Sequence, residues 1–297
     1  MVIVRLHGGL ANQMFPYAAG RRLSLVLGTQ LKLDIAGFSI YHERGDIDFR
    51  QYGLSVFNIE ESFASPDEIA KLTTVRQGKF SGVVHRLFHH KPKRPKSYVR
   101  EKQIHFDPAI LNLQDDVYLD GNWNSWHYFA DIASIIRSDF TFKNPATGEN
   151  RIFLEKIRSR ESASLHVRRG DYANDAKTNS IHGTCSLDYY QRATQFIADR
   201  VKEPHFFVFS DDLNWVRDNL RISFPCTFVD CNGPLDGHED MRLMSQCRHN
   251  VIANSGFSWW SAWLNPHQDK IVVAPEKWFQ ASKYEKFTPV PDDFVKL

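Results

Sequence analysis

The second half of the chain alternates short apolar runs with longer segments of helical periodicity, and this alternation restricts the fold more than any other feature. The runs predict strands, and the amphipathic segments between them predict helices. Strands are expected at residues 164–168, 205–209, 227–230, 251–254 and 270–274, and helices at 187–200, 213–220, 239–247 and 258–264. Repeated strand–helix units specify a parallel sheet with helices on both faces.

The first half opens in the same way. A β-branched run at residues 2–6 is followed by the Gly8-Gly9 pair and by helical spacing over residues 12–27, and residues 31–34 predict the next strand. This order predicts a second parallel α/β sheet. Two such sheets that face each other across a cleft are typical of sugar-nucleotide transferases.

Chain breakers divide the two halves. Residues 128–140 predict an amphipathic helix, and Asn144, Pro145 and Gly148 follow it, so we place a domain boundary near residue 150. We expect one α/β domain at residues 1–150 and a second at residues 151–297. The last segment could pack back on the first domain.

Composition excludes some classes of function. Of 297 residues, 37 are Lys or Arg and 35 are Asp or Glu, and the net charge of +2 argues against nucleic-acid binding. The chain has four cysteines, no CxxC pair, no long apolar stretch and no signal-peptide pattern. These features predict a cytoplasmic protein. The basic residues 85–96 indicate a solvated loop or, as the alternative, a peripheral contact with anionic lipid or a glycan carrier.

The segment at residues 164–172 contains the strongest chemical signal. Side chains alternate along a strand, so His166 and Arg168 should share a face, and Arg169 should begin the turn at Gly170. A guanidinium fork at the end of a parallel strand can hold a diphosphate. The alternative is a buried Arg–Asp pair that only shapes the turn.

A strand that runs into a helix gives the second signal, at residues 249–263. The hydroxyl groups of Ser255 and Ser258 would lie at a helix N-terminus, where phosphate oxygens bind well. Plain helix capping is the alternative. Trp259, Trp260 and Trp263 are interpreted as core residues.

Three further segments give weaker signals of a binding site. The glycine-containing loop at residues 6–15 lacks the ending of a P-loop. Asp211 and Asp212 follow a predicted strand, where they could cap a helix or contact a hydroxyl-rich ligand. Asp240 is a helix cap by default, but in a guanine site its carboxylate would accept from the base N1–H and N2–H₂ groups.

The sequence contains one weak candidate for a metal site. Asp46 and Asp48 match the DxD form, but they lie in a polar stretch far from the strand–helix turns. The histidines lack the spacing of zinc ligands. We therefore expect neither a metal nor another cofactor.

Taken together and in this order, the segments resemble the α-1,2-fucosyltransferases of glycosyltransferase family 11, of the bacterial type. The resemblance covers nearly the whole chain. The matching stretches are HGGLANQMFPYAAGRRLS at 7–24, LHVRRGDY at 165–172, SLDYY at 186–190, HFFVFSDD at 205–212, and EDMRLMSQCRHNVIANSGFSWWSAWLNP at 239–266.

The resemblance implies a GT-B-like fold and inverting transfer of L-fucose from GDP-fucose to the 2-hydroxyl of a terminal β-galactoside. Such acceptors include lactose and lipid-linked oligosaccharides. Arg168 and Asn12 would be catalytic, with the donor held by the domain at residues 151–297 and the acceptor side formed by that at residues 1–150. Asp171, which lies near the same turn, is a further catalytic candidate as the general base, and the alternative is that it tethers an arginine. The implied donor-binding residues are His166, Arg168, Arg169, Asp211, Asp240, Ser255, Phe257 and Ser258.

Small departures from the family pattern concern loop shape more than the reaction. They are Ala11, Pro16, Gly256 and Ser261. Two alternatives remain open at this point. One is a protein O-type or core-type fucosyltransferase, and the other is a nucleotide-sugar or glycan-binding protein without catalysis.

Overall fold

The computed structural model describes residues 1–38, 51–74, 95–285 and 287–297. The chain forms two compact units, Met1–Asp139 and Phe140–Leu297. Within the described ranges, no helix combines the length and apolarity that a membrane span requires. Asp46, Asp48 and residues 85–94 of the basic segment lie outside the described residues.

The first unit is built on a four-stranded parallel sheet in the order β2-β1-β4-β3. Its strands are β1 (Val2–Arg5), β2 (Leu31–Asp34), β3 (Tyr98–Arg100) and β4 (Val117–Asp120). Its helices are α1 (Leu10–Leu27), α2 (Pro66–Thr73) and α3 (Ala133–Asp139). The apolar residues of β1 are completely buried, since this strand has a neighbour on each side and α1 packed beside it.

Helix α1 begins at Leu10 and contains a proline. Pro16 has no N–H group, so it cannot donate the helical hydrogen bond to the carbonyl of Asn12. The helix ends where Gly28 adopts a left-handed conformation with φ of 60°.

The second unit is built on a six-stranded parallel sheet in the order β10-β9-β8-β5-β6-β7. Its strands are β5 (Ser162–Val167), β6 (His205–Ser210), β7 (Cys226–Phe228), β8 (His249–Val251), β9 (Val272–Ala274) and β10 (Val295–Lys296). Its helices are α4 (Gly148–Arg158), α5 (Gly170–Asn174), α6 (Ala176–His182), α7 (Leu187–Ala198), α8 (Leu213–Asn219), α9 (Gly237–Gln246) and α10 (Gly256–Leu264).

Strand alternation places two cores on opposite faces of this sheet. Phe206 and Val208 of β6 pack in a cluster with Tyr190 of α7, whereas Phe207 packs in a second cluster with Leu243 of α9. Every residue of β5 is buried. The residues that follow β5 are consequently held on a rigid central strand.

The prediction of an α/β chain with two parallel sheets is confirmed. The helix predicted over residues 128–140 is wrong at its start, because the short 3₁₀ turns Trp126–Tyr128 and Ala130–Ile132 precede α3. The units divide before Phe140, whose ring contacts Trp260 edge to face at 5.2 Å. The end of the chain forms β10 beside β9.

Candidate active site

Three loops meet at the carboxyl edge of the second sheet because their strands are neighbours. Strands β8, β5 and β6 lie side by side and parallel, so the residues that follow them share one edge. Arg168 and Arg169 follow β5, Asp211 follows β6, and Ser255 lies between β8 and α10. This edge therefore gathers cations, a carboxylate and a helix N-terminus.

The Arg168 guanidinium lies between two carboxylates. Its Nη1 is 2.9 Å from Asp211 Oδ2, and its Nη2 donates to Asp171 Oδ1 at 2.5 Å. Burial by itself would lower the pKa of Arg168, but the Asp211 and Asp171 carboxylates raise it above its ordinary value. The side chain keeps 28% exposure, so a permanently charged and oriented fork stays open to a ligand.

Asp211 also fixes the turn that Arg169 begins. Its Oδ1 accepts a hydrogen bond from the Arg169 backbone N–H at 2.8 Å. A Cβ atom on Gly170 would collide with the same carboxylate, so glycine permits this approach. Asp212 instead caps α8 by accepting from the Trp215 N–H at 3.2 Å. Asp212 therefore has the predicted capping role, whereas Asp211 holds the arginine turn.

His166 is a buried, neutral side chain beside the arginine. It is 5% exposed, and burial, with a smaller effect of the Arg168 charge, lowers its pKa to about 3. Its ring lies 5.8 Å from the Phe257 ring. Within the described residues its Nδ1 has no hydrogen-bond partner. A buried polar atom without a protein partner is a feature that a bound ligand can satisfy.

The hydroxyl groups of α10 are engaged with the backbone. Ser255 caps the helix by accepting from the Phe257 N–H at 3.3 Å, and it is 6% exposed. The Ser258 hydroxyl donates to the carbonyls of Ala253 and Ser255, each at 3.4 Å, and it is 1% exposed. Ser255, at the N-terminus itself, is therefore the better placed of the two for a phosphate.

The three tryptophans of α10 form core, as predicted. Trp259 and Trp260 have no exposed area, and Trp263 is 6% exposed. The rings of Trp259 and Trp260 meet at right angles, and those of Trp259 and Trp263 stack. They anchor the helix whose N-terminus reaches the carboxyl edge.

A polar cluster surrounds Asp240 near the start of α9. Asn232 Nδ2 donates to Asp240 Oδ1 at 2.7 Å, and the amides of Asn232 and Asn150 bond to each other in both directions. Burial raises the pKa of Asp240 to about 6, against the hydrogen bond from Asn232. Asn150 and Asn232 were not among the predicted site residues, since an isolated asparagine carries no signal of a partner 82 positions away.

Asn12 in the first unit lies in the first turn of α1, next to a glycine whose backbone is in the left-handed region. Gly8 has φ of 71°, and a Cβ atom there would lie 2.7 Å from Asn12 Nδ2. The buried Gln13 amide donates to the carbonyls of Gly8 at 3.0 Å and Gln51 at 2.8 Å, and it accepts from Gly53 N–H at 2.9 Å. Gln13 was not predicted, although it stands inside the conspicuous loop motif.

Metal ligands are not gathered in the parts of the chain that the structure describes. There, no group of three or more His, Cys, Asp or Glu side chains is arranged to hold an ion. The DxD candidate is outside those parts.

The chain matches the sequence profile of glycosyl transferase family 11 over residues 68–290, which is more than half of its length. The chain belongs to glycosyltransferase family 11. It is 31% identical to an α-1,2-colitosyltransferase of Escherichia coli over 100% of this chain and 99% of that protein. It is also 31% identical to the bovine galactoside 2-α-L-fucosyltransferase SEC1, over 50% of this chain and 42% of that protein.

The fold of this family 11 glycosyltransferase is similar to that of a solved fucosyltransferase. NodZ from Bradyrhizobium has a TM-score of 0.51 and 13% sequence identity, over 90% of this chain and 96% of that protein. At this identity the likeness concerns the fold alone. It agrees with the GT-B-like class that the sequence predicted.

Proposed function

We propose that this family 11 glycosyltransferase transfers L-fucose from GDP-β-L-fucose to the 2-hydroxyl of a terminal β-galactoside, with inversion to Fucα1-2Gal. The observation that carries the proposal is the Arg168 fork, which Asp171 and Asp211 hold at the carboxyl edge of the second sheet. Its relatives include an α-1,2-colitosyltransferase and a galactoside 2-α-L-fucosyltransferase. Both names specify transfer to a 2-position.

In this proposal the second unit holds the donor. Arg168 binds the β-phosphate, with support from Arg169 and from Ser255 at the start of α10. The Asp240 carboxylate accepts from the guanine N1–H and N2–H₂ groups. The neutral His166 ring contributes a hydrogen bond toward the nucleotide, and the neighbouring Phe257 and Ser258 line the same site.

The reaction exchanges one bond for another. The acceptor O2 attacks the anomeric carbon of fucose from the face opposite GDP, the bond from that carbon to the β-phosphate oxygen breaks, and the O2 proton passes to a base. Arg168 stabilises the charge that develops on GDP without a metal ion. One preorganised donor of this kind contributes about 3–4 kcal/mol. Asp171 is the proposed base, and Asn12 of the first unit the residue that faces the fucose.

The proposed acceptor is a β-galactoside such as lactose or a lipid-linked oligosaccharide. The place of action is the cytoplasm, with the basic residues 85–96 as a candidate for peripheral membrane contact. The net charge of +2 gives no support to a nucleic-acid partner.

A second candidate donor follows from the full-length similarity to an α-1,2-colitosyltransferase. Colitose is L-fucose without its 3-hydroxyl, so the two activated sugars differ by one polar group. A site that hydrogen-bonds the 3-hydroxyl would reject colitose strongly, whereas an apolar pocket would discriminate weakly. The ratio of kcat/KM for the two GDP-sugars therefore tells the candidates apart.

The test is incubation of the purified protein with GDP-fucose and lactose in EDTA. We expect GDP release and a product whose NMR spectrum shows fucose α-linked to O2 of galactose. Activity only after magnesium is added would contradict metal independence and would make Asp46 and Asp48 the candidate metal ligands. Binding of GDP-fucose without turnover on any galactoside would favour a non-catalytic protein. A different linkage in the product would favour the protein O-type or core-type alternative.

The proposed base has its own test. Asp171→Asn should lower kcat and flatten the acidic limb of the pH–rate profile. An unchanged profile with full activity would remove Asp171 from that role and leave it as a tether of Arg168.

A further inference from the structure

The amino edge of the second sheet has a pocket of its own. The residues just before β5, β6, β7 and β8 meet there, because these strands are neighbours in the sheet. The pocket has a volume of about 500 Å³, and its lining includes Arg158, Arg160, Glu161, Lys202 and Arg248. Ligand clefts typically have volumes of about 300–1,000 Å³.

Positive charge predominates in this amino-edge pocket. Its lining contains four Lys or Arg side chains against Glu161 and Glu203, and Arg248 is paired with Glu161 at 3.5 Å. Across the described ranges, neither Arg160 nor Lys202 has a carboxylate within ion-pair distance. Two of the cations are therefore available to an anion.

The hydrogen-bond partners of Arg158 and Arg160 are neutral. Arg158 Nη2 donates to Gln246 Oε1 at 3.1 Å, and Arg160 Nη1 lies 3.4 Å from His205 Nε2. Arg158 ends α4, where a cation complements the helix dipole. That explanation does not extend to Arg160, which lies beyond the helix, or to Arg248, which directly precedes β8.

The pocket is separate from the proposed donor site. Strand β5 runs from Ser162 to Val167, with Glu161 before it and Arg168 after it. At about 3.3 Å per residue, the two edges lie roughly 20 Å apart. A ligand in the amino-edge pocket would not contact Arg168.

We propose that the amino-edge pocket binds a phosphate group, carried either by a phosphorylated solute or by a lipid headgroup. Guanidinium groups pair with phosphate oxygens through two parallel hydrogen bonds, and Arg160, Arg248 and Lys202 surround one concave space. The proposal does not depend on the identity of the sugar donor.

Inorganic pyrophosphate is the probe for the solute source, at about 0.15 M salt so that diffuse attraction is screened. We expect saturable NMR shifts of the Glu161 and Arg248 backbone amides. Arg160→Gln should weaken this binding about tenfold, as the loss of a charge-assisted bond implies. Arg221→Gln, an exposed arginine of the same unit outside the pocket, and Arg168→Gln should leave these shifts unchanged.

Vesicles distinguish the lipid source. If the ligand is a headgroup, the protein should sediment with phosphatidylcholine vesicles that contain phosphatidic acid but not with vesicles of phosphatidylcholine alone. Arg160→Gln and Lys202→Gln should then abolish this sedimentation. Pyrophosphate binding without vesicle binding would assign the pocket to a solute. The proposal is overturned if neither probe binds, or if Arg221→Gln weakens binding as much as Arg160→Gln. Circular dichroism of each variant establishes that it is folded.

Discussion

The Asp211 carboxylate binds two consecutive arginines: its Oδ2 lies 2.9 Å from Arg168 Nη1, and its Oδ1 accepts a hydrogen bond from the Arg169 backbone N–H. One carboxylate thus orients the fork and the turn that carries it. Because β5 and β6 are paired in register, with Val167 opposite Ser210, the two loops cannot shift independently.

Asp211→Asn should lower kcat/KM for GDP-fucose by roughly tenfold, since it removes a charged partner of Arg168. Asp212→Ala is the matched control. It should cost about 1 kcal/mol of unfolding free energy through loss of the α8 cap, with a smaller loss of activity, because the carboxylate that it removes lies 3.4 Å from Arg169 Nε. Steady-state kinetics and thermal unfolding of both variants measure the two effects. Equal losses of activity would contradict the division of roles.

Arg168→Ala should reduce kcat by about 10²–10³ while the protein remains folded. Arg168→Lys should not restore activity, because an ammonium group cannot span Asp171, Asp211 and a phosphate as a planar fork does. Near-normal turnover in either variant, measured as GDP release, would remove Arg168 from the donor site.

Gly8→Ala should lower both the stability and the activity of the protein. Gly28→Ala is the control that separates a loss of stability from a direct loss of activity. Both glycines have positive φ, so each substitution should cost about 1–2 kcal/mol of unfolding free energy. A Cβ atom on Gly28 has no neighbour within 4 Å, whereas one on Gly8 would displace the Asn12 amide. Activity should fall roughly tenfold or more only in Gly8→Ala. Comparable activity in the two variants would argue against a role for Asn12.

The affinity for GDP-fucose should decrease as the pH falls through about 6, the raised pKa of Asp240. Only the ionised carboxylate can accept both guanine donors, and the doubly esterified diphosphate of GDP-fucose does not titrate there. Calorimetric titration at pH values on both sides of 6 measures this. Asp240→Asn should bind more weakly and lose the pH dependence. A dependence that persists in Asp240→Asn would assign it to another group.

The same pKa has a consequence for stability with a defined sign. Burial raises the pKa of Asp240 above its ordinary value of 3.8, so the folded state holds the proton more tightly than the unfolded chain. The penalty for the buried charge is absent below the ordinary pKa of 3.8, grows as the pH rises from there to about 6, and is constant above that. Asp240→Asn should therefore raise the unfolding temperature above that of the parent protein, and this increase should be larger at neutral pH than at acidic pH.

Local patterns located β1, β2 and β5 to β9, although β8 lies at residues 249–251 and was predicted at 251–254. Strands β3, β4 and β10 were not predicted, since each is too short to show a period of its own. The rule that ligands bind at the carboxyl edge selected Arg168. The pairings that complete the site could not be predicted in this way. The bonds from Asp211 to Arg168, from Gln13 to Gly53 and from Asn232 to Asn150 each join distant segments, and only the register of a folded sheet or loop decides them.

The stacking of Arg169 on Trp215 gives the molecule an optical reporter. The guanidinium carbon lies 3.4 Å from the centre of the indole ring, at the edge where the proposed diphosphate would bind. A phosphate that draws the cation off the ring would change the indole fluorescence. Trp215→Phe should abolish that part of the signal, so donor occupancy could be followed in real time in unlabelled protein and without turnover.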